Sequence, residues 1–425
     1  MKFKIITLGC KVNTYESNSI SDTLLANGYE KALDDKQADI VIINTCTVTN
    51  TANNKSLKMI RHAIRNNRDA IIIVTGCSAQ VYHKQIMEID GVSIIIGTVG
   101  KSQILKYIEE YKKNKEQIID VKNNTNILFE EMKLNNFDKT RAFVKIQDGC
   151  NNFCSYCIIP FTRGSVRSRN KDDIINEIKT LINYGHHEIV LTGIHTGNYG
   201  EEFDNYDFAS LLSDLVKIQG LDRLRISSIE VTELNDRVLS ILEKEKVLVS
   251  HLHIPLQAGT DKILKAMNRK YDTKYFKEKI DKIRTIRPDI SISTDVIVGF
   301  PGETEEDFIE SMDFINSMKF SKIHVFPYSK REGTKAATFD NQVDEKVKKD
   351  RARLLIKLSK KLEIEYMDKF MGKEVSFIPE VFDNGFVYGH TGNYLYVKAN
   401  GTSDDLKKNK IVEIIDIDYP YVIGK

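Results

Sequence analysis

Six cysteines in a chain of 425 residues fall into two groups of three. Cys150, Cys154 and Cys157 read GCNNFCSYC, a C-x3-C-x2-C spacing, so three thiolates meet at one point only if the loop wraps around something. Soft thiolates favour zinc, Cu(I) or an iron–sulfur cluster. A structural zinc wants four protein ligands, usually as two spaced pairs, and this group offers three. A cubic 4Fe–4S cluster held by three cysteines leaves one iron open for a further ligand. The other group is dispersed. Cys10, Cys46 and Cys77 each end a short apolar, β-branched run: KIITLGC, DIVIINTC and AIIIVTGC. Small buried thiols could sit there for packing alone. A second cluster with an open iron is the sharper reading.

The elements that must position these residues alternate between strand and helix. Helical segments such as 14–28 and 51–66 separate the apolar runs, which implies right-handed βαβ units and a parallel sheet. All strands of such a sheet end on one edge, where ligands bind, so three distant cysteines reach one face. Residues 1–110 are expected as this α/β domain, and the charged, Asn-rich stretch 111–140 as a connector. From 141 to 343 strand signals recur near 143–147, 188–192, 224–229, 251–254, 290–298 and 322–327. Helices are expected between them at 171–184, 207–219, 234–244, 272–286 and 304–318. Six repeats predict a partial (β/α)6 barrel of TIM type, with the Cys150 loop at its C-terminal mouth.

Residues 344–370 predict one long linking helix. Between 345 and 361 it carries eight basic residues, Lys349 and Arg353 among them, against two acidic ones. That is either a solvated face or a surface for a phosphate backbone. Residues 371–425 alternate in short strands and predict a small antiparallel β barrel, a type that often carries nucleic acid. Its six lysines face eight acids, so the weight falls on aromatics such as Tyr388, Tyr394 and Tyr396. A plain β-surface cover is the alternative for these rings.

Composition excludes several classes. Hydrophobic residues make up 41% and charged residues 29%, which is a folded, globular composition. Lysines and arginines number 62 against 60 acids, so whole-chain charge makes no case for a nucleic-acid partner. No apolar run approaches the roughly 18 residues of a membrane span. The start, MKFKIITLGC, lacks the apolar region and cleavage site of a secretory signal. The expected location is cytoplasmic, without a membrane, and that argues against disulfides.

The segment GCNNFCSYCIIPFTRG resembles the cluster loop of radical S-adenosylmethionine enzymes. LGCKVNTYES, NTCTVT and TGC ahead of it resemble the N-terminal domain of the methylthiotransferases. HLHIPLQAGTDKILKAMNR and TDVIVGFPGETEEDF continue the match, and GHTGNYLYV is similar to a TRAM domain. Within the family, LGCKVNTYES is most similar to the branch that acts on N6-threonylcarbamoyladenosine beside the tRNA anticodon. The isopentenyladenosine branch typically has a Gln-Met pair, and the ribosomal-protein branch a Pro-Lys pair, where this chain has Lys11 and Val12.

The resemblance implies that Cys150, Cys154 and Cys157 hold a 4Fe–4S cluster that chelates S-adenosylmethionine. Cys10, Cys46 and Cys77 would hold an auxiliary 4Fe–4S cluster carrying the sulfur to be transferred. S-adenosylmethionine would serve twice, as methyl donor and as radical source. The target, C2 of the adenine ring, is an unactivated position on which polar acid–base chemistry has little hold. Tyr156 would pack on the cofactor adenine, with Thr192, Gly193, Gln257 and Val296 as further cofactor contacts. Asn13 and Asn44 would orient the auxiliary loops or simply serve their turns. Arg163, Arg167 and Arg169 suit phosphate or carboxylate contacts, or else internal pairing with Asp or Glu. With Lys349, Arg353 and Tyr394 they are the candidate RNA contacts. The implied partners are the tRNA anticodon stem-loop and an electron donor such as flavodoxin or ferredoxin, with no obligate protein partner. Isopentenyladenosine tRNA or a ribosomal protein is the alternative substrate. A non-catalytic, zinc-containing RNA-binding protein is the alternative of another class.

Overall fold

The computed structural model describes residues 1–33, 38–124 and 127–425. Its first unit is a six-stranded parallel sheet in the order β2-β1-β3-β4-β5-β6. The elements are β1 (Lys2–Thr7), α1 (Lys11–Ala26), β2 (Glu30–Lys31), β3 (Ile40–Thr45), α2 (Asn50–Asn66), β4 (Ile71–Gly76), α3 (Cys77–Met87), β5 (Ile94–Ile96), α4 (Ile104–Asn114) and β6 (Ile118–Asp120). Both central strands, IVIINT and IIIVTG, are buried along their whole length. Continuous apolar runs belong to strands covered on both faces, as here. β1, β3 and β4 are neighbours, with Thr7 opposite Asn44 and Thr45 opposite Gly76.

One boundary differs from expectation. The segment 111–140 is not all connector, because β6 pairs in parallel with β5 and completes the first sheet. Residues 125 and 126 of that stretch lie outside the described residues. The rest straps the two domains together: Met132, Leu134 and Phe137 are buried, and the Tyr15 hydroxyl donates to the Met132 carbonyl at 2.8 Å.

The second unit contains β7 (Ala142–Lys145), β8 (Gln147–Asp148), α5 (Ile159–Arg163), β9 (Arg167–Ser168), α6 (Lys171–Asn183), β10 (Glu188–Thr192), α7 (Phe208–Leu215), β11 (Arg223–Ile226), α8 (Asp236–Lys244), β12 (His251–His253), α9 (Asp261–Ala266), α10 (Thr273–Ile286), β13 (Ser291–Val298), α11 (Glu305–Met318) and β14 (Lys322–Pro327). The parallel trios β11-β10-β7 and β12-β13-β14 meet through a bridge between Leu224 and Leu248, giving the six parallel strands expected. The helices start on side-chain caps. Asp207, Asn235, Asp272 and Thr304 each accept from a backbone N–H of the first turn.

α12 (Glu345–Asp368) runs along β14, where the Ser359 hydroxyl accepts from the Ile323 N–H at 3.0 Å. It leads into a closed five-stranded barrel: β15 (Glu374–Asp383), β16 (Phe386–Thr391), β17 (Tyr396–Asn400), β18 (Lys410–Asp418) and β19 (Tyr421–Gly424). The expected all-antiparallel barrel needs one correction, since β17 and β19 pair in parallel to close it. This barrel docks on the N-terminal ends of β7, β10 and β11. Arg223 donates to the His390 carbonyl at 3.1 Å, Arg225 to the Gly392 carbonyl at 3.1 Å, and Arg141 pairs with Glu380 at 3.1 Å.

Candidate functional site

Cys10 is the N-cap of α1, Cys46 follows β3 directly, and Cys77 is the first residue of α3. Three adjacent parallel strands therefore deliver three thiols to one sheet edge. The loops touch: a Cβ added at Gly9 would lie 2.9 Å from Cys46 Sγ, and Gly9 takes a φ of +101°. Asn13 and Asn44 knit these loops together. Asn13 Nδ2 donates to the carbonyls of Leu8 at 2.7 Å and Thr45 at 2.9 Å, and Asn44 Nδ2 to the Asn13 carbonyl at 3.0 Å. Burial pushes the Cys46 thiol up to about 11, and charge on Cys77 and Cys10 acts the same way. Burial also raises Cys77, against the pull of Arg163.

The second trio lies on the loop between β8 and α5. Gly149 opens it at φ +78°, and a Cβ there would sit 1.9 Å from the Ser165 carbonyl, so no larger residue fits. The buried Gln147 braces this loop against its neighbour. Its Nε2 donates to the Asp148 and Gly149 carbonyls at 2.8 Å, and its Oε1 accepts from the N–H groups of Ile194 at 3.0 Å and His195 at 2.8 Å. Arg269 Nη1 reaches Cys154 Sγ at 3.3 Å, and His195 Nδ1 lies 3.7 Å from Cys150 Sγ. Burial pushes Cys157 up to about 12, with the charges of Cys154 and Cys150 adding to it. Glu230 pairs with Arg269, and Glu233 with His195.

Thiolates around one zinc sit about 4 Å apart, given Zn–S bonds of about 2.3 Å. Among the described residues, the three-donor group whose atoms lie within 4.8 Å of one another is His253, Asp295 and His324; neither cysteine trio is that tight. Three soft thiolates on neighbouring loops are a donor set that an iron–sulfur cluster accepts.

The arginines expected at RNA phosphates face inward. Arg163 is fully buried and donates to Cys77 Sγ at 3.4 Å, to Asn13 Oδ1 at 2.9 Å, to Glu16 at 3.0 Å and to Asp148 at 3.1 Å. Arg167 pairs with Asp148 at 3.2 Å, and Arg169 with Glu131 and Glu177, each at 3.0 Å. Buried guanidiniums must find anions inside the fold, so the phosphate role is corrected to internal pairing. Lys349 and Arg353 stay exposed on α12, and Arg353 pairs with Asp350 at 3.0 Å.

A cavity of about 680 Å³ opens inside the partial barrel. Its lining includes Lys11, His253, Ser293, Asp295, His324 and Tyr394, and it reaches the auxiliary loop at Gly9. Tyr394 stacks on His251 at 4.5 Å, with the Arg141 and Arg225 guanidiniums over its ring at 5.3 and 4.8 Å. Burial alone would raise its hydroxyl; those two arginines and Lys11 win and hold it below the ordinary phenol value. Tyr156, beside Cys157, is half-buried against Phe300. Thr192 is buried at the end of β10. Gly193 gives Gln147 room, since a Cβ there would lie 2.9 Å from its Oε1. Gln257 adopts φ +70° and bridges to β13 through its backbone. Val296 lies two residues before the end of β13. Strand alternation points Ser291, Ser293 and Asp295 into the cavity and Val296 into the helix-side core at 1% exposure. Sequence reasoning missed Lys11, Gln147, His253, Asp295, Arg269 and His324 as site residues. The alternation His251-Leu252-His253 was a usable signal, because period two puts both imidazoles opposite the leucine.

A three-cysteine loop at the mouth of a six-stranded partial barrel is the arrangement of radical S-adenosylmethionine enzymes. Residues 144–315 match the Radical SAM superfamily, and residues 2–97 match a group described as uncharacterized protein family UPF0004. The chain is 46% identical to the threonylcarbamoyladenosine tRNA methylthiotransferase MtaB of Bacillus subtilis (strain 168), over 99% of this chain and 95% of that one. It is 36% identical to the tRNA-2-methylthio-N(6)-dimethylallyladenosine synthase of Carboxydothermus hydrogenoformans, over 97% and 96%. Its fold resembles that of the radical S-adenosylmethionine methyltransferase TsrM from Kitasatospora setae, with a TM-score of 0.57 and 12% identity over 76% of this chain and 72% of that one. The chain belongs to the radical S-adenosylmethionine methylthiotransferase family. It is an enzyme, which sets aside the non-catalytic zinc reading. No helix among the described residues is long and apolar enough to cross a membrane.

Proposed function

We propose that the chain methylthiolates C2 of N6-threonylcarbamoyladenosine at position 37 of tRNA, next to the anticodon. The carrying observation is the set of polar side chains in the barrel cavity, Ser227, Ser228, Ser291, Ser293 and Ser321 with His253, Asp295, His324 and Lys11, which share its wall with the apolar Phe326, Met367 and Leu395. A threonylcarbamoyl arm carries a carboxylate, a hydroxyl and ureido N–H groups, which these side chains can match. An isopentenyl arm would leave the charged and hydroxylic groups of that wall unmatched. The identity to the Bacillus subtilis enzyme supports the same reading. The dimethylallyladenosine enzymes supply the alternative substrate.

Cys150, Cys154 and Cys157 would hold one 4Fe–4S cluster, and Cys10, Cys46 and Cys77 the auxiliary one. Bound clusters and S-adenosylmethionine supply the electron transfer, the radical hydrogen abstraction at C2 and the methylated sulfur. The protein's part is to hold the two trios in register and keep water out. Buried Arg163 touches the Cys77 sulfur and the Asp148 carboxylate, which lies two residues before Cys150. Gln147 holds the loop of the second trio against the end of β10. Half-buried rings on the small barrel offer stacking faces for unpaired loop bases: His390 on Tyr396 at 4.6 Å, Tyr396 near Tyr421 at 4.8 Å, and Tyr421 near Tyr388 at 5.4 Å. A small cytoplasmic carrier such as flavodoxin or ferredoxin would be the electron donor.

The test is anaerobic reconstitution followed by nucleoside mass spectrometry on tRNA carrying each modified adenosine. The 2-methylthio derivative of threonylcarbamoyladenosine is the expected product. A fully loaded enzyme that modifies only isopentenyladenosine would overturn the proposal.

A further inference from the structure

Lys11 is the first residue of α1, directly after Cys10, and it lines the barrel cavity. It is exposed at the cavity rim, and its helix position does not call for a cation. Helix N-termini favour acidic residues, yet the first turn of α1 has none. Nor does a carboxylate inside the protein explain it. The cavity's other lysine, Lys322, donates to Glu363 at 3.0 Å. Asp295 lies 3.2 Å from His253. Among the described residues no hydrogen bond or ion pair is found for the Lys11 ammonium. Its charge nonetheless reaches the cavity wall: burial lowers His251 and His324, and Lys11 adds to the effect at both.

The chemistry of the base makes this position meaningful. C2 and C6 of adenine both flank N1, so a substituent on N6 lies beside the carbon that reacts. With C2 presented to the sulfur site at Cys10, the N6 substituent would lie toward the cavity wall that Lys11 lines. We infer that Lys11 is the specificity-determining residue of the substrate site, anchoring the carboxylate that ends the N6 arm. His253, Asp295 and His324 lie across the same cavity to receive the hydroxyl and ureido groups. A neutral residue at position 11 leaves the carboxylate without a charge partner and has nothing against an apolar arm. The inference rests on the substrate reading above.

The experiment measures binding as well as turnover. Anticodon stem-loops carrying threonylcarbamoyladenosine, its threonine carboxamide analogue and unmodified adenosine are titrated by fluorescence anisotropy into the reconstituted enzyme, its K11Q variant and its K11R variant. A hydrogen bond to a charged group contributes roughly 1.5–3 kcal/mol, so wild type should prefer the carboxylate over the carboxamide by about tenfold or more. K11Q should lose that preference, while K11R keeps it and the unmodified stem-loop binds all three proteins alike. The same ratios should appear in kcat/KM for methylthiolation. A K11Q enzyme that keeps the wild-type preference overturns the inference. So does one whose only defect is lost iron, since Lys11 would then serve the auxiliary cluster. A wild type that does not distinguish threonylcarbamoyladenosine from adenosine overturns the substrate reading itself.

Discussion

Replacing Glu16 with glutamine should destabilise the protein far more than any surface charge deletion. Glu16 is completely buried and pairs with Lys145 at 2.9 Å, Arg163 at 3.0 Å and Lys101 at 3.3 Å. Burial alone would raise its pKa; the three cations win and hold the carboxyl far below the ordinary glutamate value. The buried group also contains Asp148, which pairs with Lys145 at 2.7 Å and with Arg167 at 3.2 Å. Four cations thus share two carboxylates, and E16Q leaves them with one. Lys101 would lose the carboxylate it pairs with, keeping its bond to the Thr98 carbonyl. Removing one partner of a buried pair costs about 3–5 kcal/mol, because the other charges stay desolvated. At about 2 °C per kcal/mol for a large chain, the midpoint should fall by about 6–10 °C. Differential scanning fluorimetry at neutral pH reads it, with K31Q as the control. Lys31 and Asp138 form an exposed pair at 2.9 Å, for which about 0–1 kcal/mol is expected. The double variant E16Q/K101M should recover part of the loss, since it removes the charge left stranded. An E16Q midpoint within about 1 °C of wild type refutes the argument.

Three further outcomes follow from the same geometry. Alanine at Cys154 or at Cys46 should each cut the iron of anaerobically reconstituted protein from about eight atoms to about four, and both variants should give no methylthio product; unchanged iron in either removes that trio as a cluster site. G149A should match the Cys154 variant in iron content, because its Cβ would strike the Ser165 carbonyl from 1.9 Å; a full complement would show that the loop relaxes freely. His251 is held well below the ordinary histidine value, chiefly by burial and then by Arg225, so the unfolded chain takes up a proton below about pH 6.5 while the native state does not. Its contribution is therefore complete above that pH and lost below it, and wild type should lose about 1 kcal/mol more than H251Q between pH 6.5 and 5.5 in urea unfolding; identical losses would contradict the assignment.

What the sequence made legible was periodic or local. The apolar runs ending at Cys10, Cys46 and Cys77 announced buried parallel strands, because such strands read as continuous hydrophobic stretches. β6 went unread because three residues, Ile118–Asp120, carry no periodicity and are held by pairing with β5. The closing parallel pair of the small barrel was invisible for the same reason: β17 and β19 are set together by topology. At the site, the cysteines were legible by spacing alone. The roles of Arg163, Arg167 and Arg169 were not, since a guanidinium looks the same whether it meets a phosphate or a carboxylate. The deciding acids, Glu16, Glu131, Asp148 and Glu177, come from four separate segments. Lys11 is the converse case. The sequence displayed it within a motif, and only the cavity wall shows what it faces.

The buried charges between the first two domains also explain themselves best through the two trios. An interface filled with leucine and isoleucine would be at least as stable, because buried ion pairs rarely repay their desolvation. Apolar surfaces, however, tolerate small slides, since dispersion contacts are numerous and individually weak. A ring of ions does not: each shift strands a charge. Arg163 touches the sulfur of one trio and the carboxylate two residues ahead of the other, while Lys145 and Glu16 hold that ring from β7 and α1. Registry between two sites on separate domains is the property such a ring supplies and an apolar seam would not. The same reasoning places the greatest sensitivity at Arg163 itself. R163M should retain the folded domains yet lose methylthiolation by at least tenfold, while an R163K variant, unable to span sulfur and carboxylate with one planar fork, should recover little of it. Full activity in R163K would show that charge alone suffices and that geometry is not what the ring protects.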